Sequence, residues 1–323
     1  MSQRSCFAMR EPNFFIVGAP KAGTTSLYHY LRQHPDIYMS PIKEPRFFSL
    51  EARPMNFEPS HQMQAIRQVE EVHEYLQGPM VGKCPSGIVC EWPDYLRLFA
   101  AATTERAVGE ASASYLWSKT AASAIASRIP CARILMVLRS PAERAFSQYM
   151  NAVSDGHVSQ SFQEYVRTCL RHSGKGMGIY EPFLEVGFYA DQVQRYLDHF
   201  PREQIGIWYY EDIKTRPREF MREVFQFLEI DSAFVPDTSM RYLEPRIPRI
   251  ATPNKLLRRT RLLQISRSLV PGAIKPLMQS ALYRPSGSVK MAPEDRALML
   301  DFYRNDIHRL EMILSRDLSS WLA

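Results

Sequence analysis

The chain is short of cysteine. Its five cysteines in 323 residues (Cys6, Cys84, Cys90, Cys131 and Cys169) show none of the paired spacings that hold zinc, and an odd number cannot close a full disulfide framework. A Cys84–Cys90 bridge competes there with two free thiols in a loop, the commoner state in a reducing compartment. Long apolar runs are also missing. No stretch approaches the roughly 18–20 residues that a bilayer-spanning helix needs. Residues 1–12 carry charge without the apolar centre of a secretory signal and are expected to be flexible. These absences point to a cytoplasmic protein. There is no internal repeat and no low-complexity tract, which excludes solenoids and leaves one globular domain over residues 1–323.

Acidic residues are scarce in one place. None occurs between Glu244 and Glu294, where Arg246, Arg249, Lys255, Arg258, Arg259, Arg261, Arg267, Lys275, Arg284 and Lys290 all fall, interleaved with leucines. Residues 245–292 therefore read as a solvated basic face, a wall of an anionic-substrate cleft, or a surface for acidic lipid with peripheral membrane contact through 245–290. The formal net charge of +6 suits an anionic ligand, but it is too modest to call for a nucleic-acid partner.

Short apolar runs at Phe14–Val17, Ala107–Gly109, Arg133–Leu138 and Ile205–Tyr210 read as strands. Helical periodicity follows at Thr24–Gln33, Pro141–Asn151 (with Ser140 as N-cap), Tyr189–Phe200, Pro217–Leu228 and Pro293–Leu314. Alternation of this kind predicts an α/β fold, a parallel sheet covered by helices. The Pro- and Gly-punctuated stretch from Pro41 to Trp92 is expected to form loops and short helices over one sheet edge.

The most informative segment is Phe14-Phe15-Ile16-Val17-Gly18-Ala19-Pro20-Lys21-Ala22-Gly23-Thr24-Thr25-Ser26-Leu27. A strand, a Gly/Lys loop and a helix N-terminus in that order build an anion site. Unpaired N–H groups of the first turn and the helix dipole attract negative charge, and Lys21 adds a full positive one. It is not a Walker A loop, in which lysine directly precedes the magnesium-binding Ser/Thr. Here the lysine stands before the second glycine, and no apolar run ending in Asp follows to hold a metal. A metal-free phosphate cradle is the reading.

Arg139 stands at the C-terminal end of a strand, with Ser147 two turns into the next helix. Ligands of open α/β sheets bind at such strand ends, and a phosphate monoester needs a multi-donor, charge-assisted seat.

Together, Pro20–Leu27 and Arg133–Tyr149 resemble the two nucleotide-binding blocks of the sulfotransferases that use 3′-phosphoadenosine 5′-phosphosulfate (PAPS). The resemblance extends through Lys43-Glu44-Pro45-Arg46-Phe47-Phe48, Val108-Gly109-Glu110-Ala111-Ser112, Tyr115-Leu116, Gly187-Phe188-Tyr189-Ala190 and Tyr210-Glu211-Asp212, as in heparan sulfate sulfotransferases and their bacterial relatives. It implies a P-loop-like sheet and transfer of a sulfuryl group from PAPS to a hydroxylated small molecule or glycan, leaving adenosine 3′,5′-bisphosphate.

By resemblance, Lys21, Ala22, Gly23, Thr24, Thr25 and Ser26 hold the 5′-phosphosulfate, and Arg139 and Ser147 hold the 3′-phosphate. Tyr189 heads the helix that helps hold the adenine. Arg284 and Lys290 flank a loop that is poorer in basic residues than the family's usual 3′-phosphate loop. Glu44 is implied as general base, Lys21 as the cation at the leaving oxygen, and Lys43 as a further source of positive charge. An acid between proline and phenylalanines can be desolvated and its pKa raised, although an ion pair with Lys43 or Arg46 is its plain structural role. Arg46 stands where some members with glycan acceptors have histidine.

Glu110 either touches the acceptor or caps structure beside the sheet. His29, His34 and His61 fall in no acid/base or metal pattern and read as packing or surface residues. A P-loop kinase and a non-catalytic nucleotide- or polyanion-binding module remain the alternatives.

Overall fold

A computed structural model describes residues 10–80, 87–155, 157–171, 183–239, 246–248, 283–285 and 289–323. Strand β1 (Phe14–Gly18) is buried along its whole length, as a run apolar on both faces requires. It lies at the centre of a five-stranded sheet with β2 (Ile37–Met39), β3 (Ala107–Ala111), β4 (Arg133–Leu138) and β5 (Ile205–Tyr209) in the order β2-β3-β1-β4-β5. Every neighbouring pair in this sheet is parallel. Helices α1 (Thr24–Leu31), α4 (Ala121–Arg128), α5 (Pro141–Ser154), α7 (Tyr189–Leu197) and α9 (Pro217–Phe227) connect and cover the strands, giving the expected α/β architecture. Helices α2 (Pro59–Gln77), α3 (Trp92–Arg97), α6 (Phe162–Arg171), α8 (Tyr210–Thr215) and α10 (Pro293–Leu314) complete the described set, with an antiparallel pair β6 (Arg246–Pro248) and β7 (Tyr283–Pro285) beside α5.

The strand order reverses at β1. The chain leaves it toward β2 on one side and reaches β4 on the other, so the loops after β1 and β4 meet over a crevice at the strands' C-terminal ends. This is the topological position at which ligand sites of open parallel sheets form.

Three expectations need correction. The stretch from Pro41 to Trp92 contains a 19-residue helix, α2. Only Ala65, Val72 and Leu76 along it are fully buried, so its apolar stripe is too thin to stand out from a polar surround. The strand expected over Ile205–Tyr210 ends at Tyr209. Asp212 Oδ2 accepts the Tyr209 N–H at 3.3 Å and turns the chain into α8. Ser140 does stand at the N-cap of α5, but its hydroxyl makes no capping bond. Cys90, Cys131 and Cys169 are free thiols, whereas Cys6 and Cys84 lie outside the described residues, as does most of the basic stretch 245–292.

Helix α10 locks the α7 side of the sheet. Asp306 accepts the N–H of Tyr189 at 2.6 Å and that of Ala190 at 3.2 Å, capping α7 from a distant helix. Tyr303 donates to the Leu184 carbonyl at 2.7 Å just before α7 begins. Replacing Asp306 with alanine strands two amide donors at a buried helix start. The expected loss is about 1–3 kcal/mol of unfolding free energy by urea denaturation. Asp301→Ala, exposed on the same helix, should stay within about 0.5 kcal/mol of the parent.

Candidate active site

The loop after β1 is built by unusual backbone. Lys21 and Gly23 both take the left-handed conformation, with φ of 67° and 92°. For glycine this is free of side-chain strain, but for lysine it costs about 1–3 kcal/mol, a cost that clusters at functional sites. A Cβ on Gly23 would also press to 3.0 Å from Ile213 Cδ1. The consequence is an open helix start. The first helical bond runs from Leu27 N–H to the Gly23 carbonyl at 3.1 Å, so the N–H groups of Thr24, Thr25 and Ser26 have no intrahelical acceptor. Ala22 and Thr24 are buried, while Thr25 and Ser26 are half-buried at the rim.

Lys21 is largely desolvated, and among the described residues no carboxylate lies within ion-pair distance of it. Burial pushes its ammonium pKa down to about 8. Arg139 pushes the same way, Asp155 pulls against it less strongly, and Arg144 and Glu44 add smaller effects of opposite sign. A buried cation surrounded by further cations is costly unless an anion joins it.

Arg139 brings the second seat against the first. Its Nη1 donates to the Lys21 carbonyl at 3.1 Å, and its guanidinium lies 4.4 Å from the Tyr210 ring centroid. Glu143 approaches Arg139 at 3.8 Å and Arg296, from α10, at 3.6 Å, so the last helix reaches the same corner. Arg144 is fully buried, donates to the Phe183 carbonyl and to Gln148, and likewise has no carboxylate within ion-pair distance among the described residues. Buried polar atoms without hydrogen-bond partners among the described residues gather here: Ser140 Oγ and Arg144 Nε. Such groups are rare in the absence of a ligand to satisfy them.

Ser147 sits half-buried on α5, one turn beyond Glu143, and is not hydrogen-bonded to Arg139 among the described residues. Tyr189 heads α7, as expected. It is fully buried, its ring 6.2 Å from that of Trp321, and its hydroxyl lies beside the Arg139 backbone. It supports Arg139 from within the core and does not line the rim. Lys290 is exposed ahead of α10, and Arg284 falls on β7, paired in register with Ile247. Neither is joined to the Lys21–Arg139 cluster by a described contact.

The Glu44 loop closes the other side. Glu44 and Arg46 also have left-handed backbone, with φ of 60° and 55°. Glu44 Oε1 pairs with Lys43 at 3.2 Å and Oε2 with Arg46 at 3.3 Å, its side chain 24% exposed. Burial alone raises its pKa, as expected from the flanking residues. Arg46 and Lys43 outweigh that effect and hold the carboxyl below its ordinary range. The raised pKa expected from sequence is therefore corrected, and the ion pair is present with both neighbours. Glu110, on β3, is fully buried among Tyr95, Tyr115 and Ser112, and burial pushes its carboxyl up to about 7.

Sequence reading missed Arg144, Arg296 and Tyr210. Arg144 carried a usable signal, being an arginine on the inward face of an amphipathic helix directly after the Arg139 seat. Arg296 carried none, because only the packing of α10 brings it near.

The Lys21 result is directly testable. Followed by NMR of its side-chain ammonium, Lys21 should titrate with a midpoint of about 8. Arg139→Ala should move that midpoint upward, because it removes a neighbouring positive charge. A midpoint unmoved by that change contradicts the shared cluster.

The sequence profile of the sulfotransferase family matches residues 12–234. Carbohydrate sulfotransferase 15 of Mus musculus is 27% identical over 256 residues, covering 68% of this chain and 44% of that protein. The bifunctional heparan sulfate N-deacetylase/N-sulfotransferase 3 of Homo sapiens is 29% identical over 224 residues, covering 68% of this chain and 22% of that protein. The chain thus spans less than half the length of these curated relatives. A crystal structure of a sulfotransferase from Alicyclobacillus acidocaldarius aligns with a TM-score of 0.67 at 32% identity, over 97% of this chain and all of that one. With a profile match across most of its length and a like-folded relative along nearly all of it, the chain belongs to the sulfotransferase family.

Proposed function

We propose that this protein transfers the sulfuryl group of PAPS to a hydroxyl of a carbohydrate, glycolipid or hydroxylated natural product, releasing adenosine 3′,5′-bisphosphate. The observation that carries the reading is the contact between Arg139 and the Lys21 carbonyl. It brings a half-buried lysine, with no carboxylate at ion-pair distance among the described residues, beside a strand-end arginine, which suits a donor with phosphates at both ends. The unpartnered Ser140 hydroxyl and Arg144 Nε, and the free N–H groups of Thr24, Thr25 and Ser26, fit such a dianion. The carbohydrate relatives favour a glycan among the acceptors.

The chemistry assigned to each residue follows from charge. The acceptor hydroxyl gives its proton to a Glu44 oxygen as its own oxygen forms a bond to sulfur. The bond from sulfur to the bridging phosphate oxygen breaks, and the negative charge that collects there meets the Lys21 ammonium. In the free protein Glu44 is held by Lys43 and Arg46 and is a weak base. An incoming sulfonate competes for Lys43, and loss of that pairing raises the basicity of Glu44 once the donor is bound. Thr25 and Ser26 supply rim donors for the 5′ end, while Arg139 and Ser147 serve the 3′-phosphate.

Labelled sulfate transfer from PAPS to a panel of heparan sulfate oligosaccharides, glycolipids and simple alcohols, with and without chelator, tests the reaction. Lys21→Ala should abolish transfer. Glu44→Gln should keep adenosine 3′,5′-bisphosphate binding and lower turnover by about 100-fold or more; near-normal turnover would remove Glu44 from the mechanism. Arg139→Ala should weaken adenosine 3′,5′-bisphosphate by roughly tenfold or more, and adenosine 5′-phosphate, which lacks the second anion, far less. Equal losses for both nucleotides would refute the assigned seat.

A further inference from the structure

Glu110 is a carboxyl with no surface exposure on a central strand, and the reaction as written does not use it. Its oxygens are fully engaged. Oε1 lies 2.6 Å from the Tyr115 hydroxyl and 3.1 Å from that of Tyr95, and Oε2 lies 2.7 Å from Ser112 Oγ. Two of those hydroxyls are also acceptors. Ser112 Oγ receives the Arg46 N–H at 3.0 Å, and the Tyr115 hydroxyl receives the Phe48 N–H at 3.3 Å. Because each hydroxyl accepts from the loop, its single proton is free to point at Glu110.

The bonds therefore have a direction. Two chains, Arg46 N–H to Ser112 to Glu110 and Phe48 N–H to Tyr115 to Glu110, begin in the Glu44 loop and end on one carboxylate. They grip the loop where its backbone is least comfortable, at left-handed Arg46 and just past it. Arg46 in turn donates from Nε and Nη2 to Glu44 Oε2, both at 3.3 Å. The Glu44 N–H adds a bond to the Ala111 carbonyl at 3.3 Å, on the same strand as Glu110.

We infer that Glu110 is a positioning residue, which fixes the left-handed 44–48 loop through Ser112 and Tyr115 and so sets the place of Glu44 against the acceptor. The inference rests on the reading of Glu44 as the base. Glu110 touches neither donor nor acceptor in this arrangement. It acts only by terminating two hydrogen-bond chains on its two oxygens; a neutral amide has one acceptor oxygen and can terminate only one of them, because its NH2 group presents donors to a hydroxyl that must itself donate.

The test combines amide exchange with kinetics. In Glu110→Gln, hydrogen exchange at the Arg46 or the Phe48 amide, whichever chain meets the new NH2 group, should speed up by about tenfold or more, while amides of the β1–α1 loop keep their parent rates. Turnover of a heparan sulfate oligosaccharide from PAPS should fall about tenfold or more, with the dissociation constant of adenosine 3′,5′-bisphosphate unchanged within about twofold. In a Glu44→Gln background, adding Glu110→Gln should lower turnover no further, since its route to the reaction is already gone. Unchanged exchange at both amides overturns the inference, as does an equal fall in turnover in both backgrounds.

If Glu44→Gln alone leaves turnover near normal, the proposed mechanism fails, yet the exchange result still reports on the loop. Should Glu110→Gln not fold, Ser112→Ala and Tyr115→Phe cut one chain each. The first should release the Arg46 amide alone and the second the Phe48 amide alone; release of neither sinks the inference.

Discussion

Three cations, Lys21, Arg139 and Arg144, share one corner in which the only described ion pair is the long one from Arg139 to Glu143 at 3.8 Å, and this excess of positive charge organises the site. Like charges in a low-dielectric setting repel strongly, and removing any of them from water is costly. The fold tolerates the arrangement because both arginines are also held by neutral groups. Arg139 rests on the Lys21 carbonyl and the Tyr210 face, and Arg144 on the Phe183 carbonyl and Gln148. None of these contacts cancels the charge. What remains is a standing preference for a multiply charged anion, placed where the sheet order reverses and backbone N–H groups already converge.

That preference explains why distant parts of the chain reach the same corner. Helix α10 sends Arg296 to Glu143, which also faces Arg139, and the same helix caps α7 through Asp306. Tyr189, the first residue of α7, lies beneath Arg139. The loops that meet the ligand are thus braced by a helix far from them in sequence. A shift of α10 would move the cap, the tyrosine and the arginine together.

How much of this was legible in the sequence depends on range. The Lys21 loop and the Arg139 seat were visible because each is a local strand-to-helix junction, and five or six residues suffice to define one. The four long strand assignments hold for the same reason. Helix α2 was hidden because its core contact reduces to Ala65, Val72 and Leu76. Strand β2, at three residues, is shorter than any periodicity can report. The burial of Tyr189 was not legible, because an aromatic at a helix start looks alike in sequence whether it meets a ligand or a core. The state of Glu44 was misjudged because left-handed backbone at Glu44 and Arg46 lets two cations adjacent in sequence fold onto one carboxylate. Propensity does not announce such backbone in non-glycine residues.

The two carboxyls near the crevice are pushed in opposite directions, and the difference matters for the chemistry. Glu110 is raised by burial that three hydroxyl donors only partly offset, with the charge of Glu44 adding to the rise. Glu44 is lowered because two cations outweigh its own burial. A base that starts low gains strength only if a partner leaves, and Lys43 is the partner with an alternative, because a bound sulfonate would offer it a second anion. Arg46 has less freedom, with its amide tied to Ser112 and its guanidinium bound through two nitrogens to one oxygen. Under the mechanism proposed above, this asymmetry suits an ordered reaction in which donor binding draws Lys43 away and strengthens Glu44 while Arg46 keeps it in place. On that proposal, basicity arises only when there is a sulfuryl group to transfer.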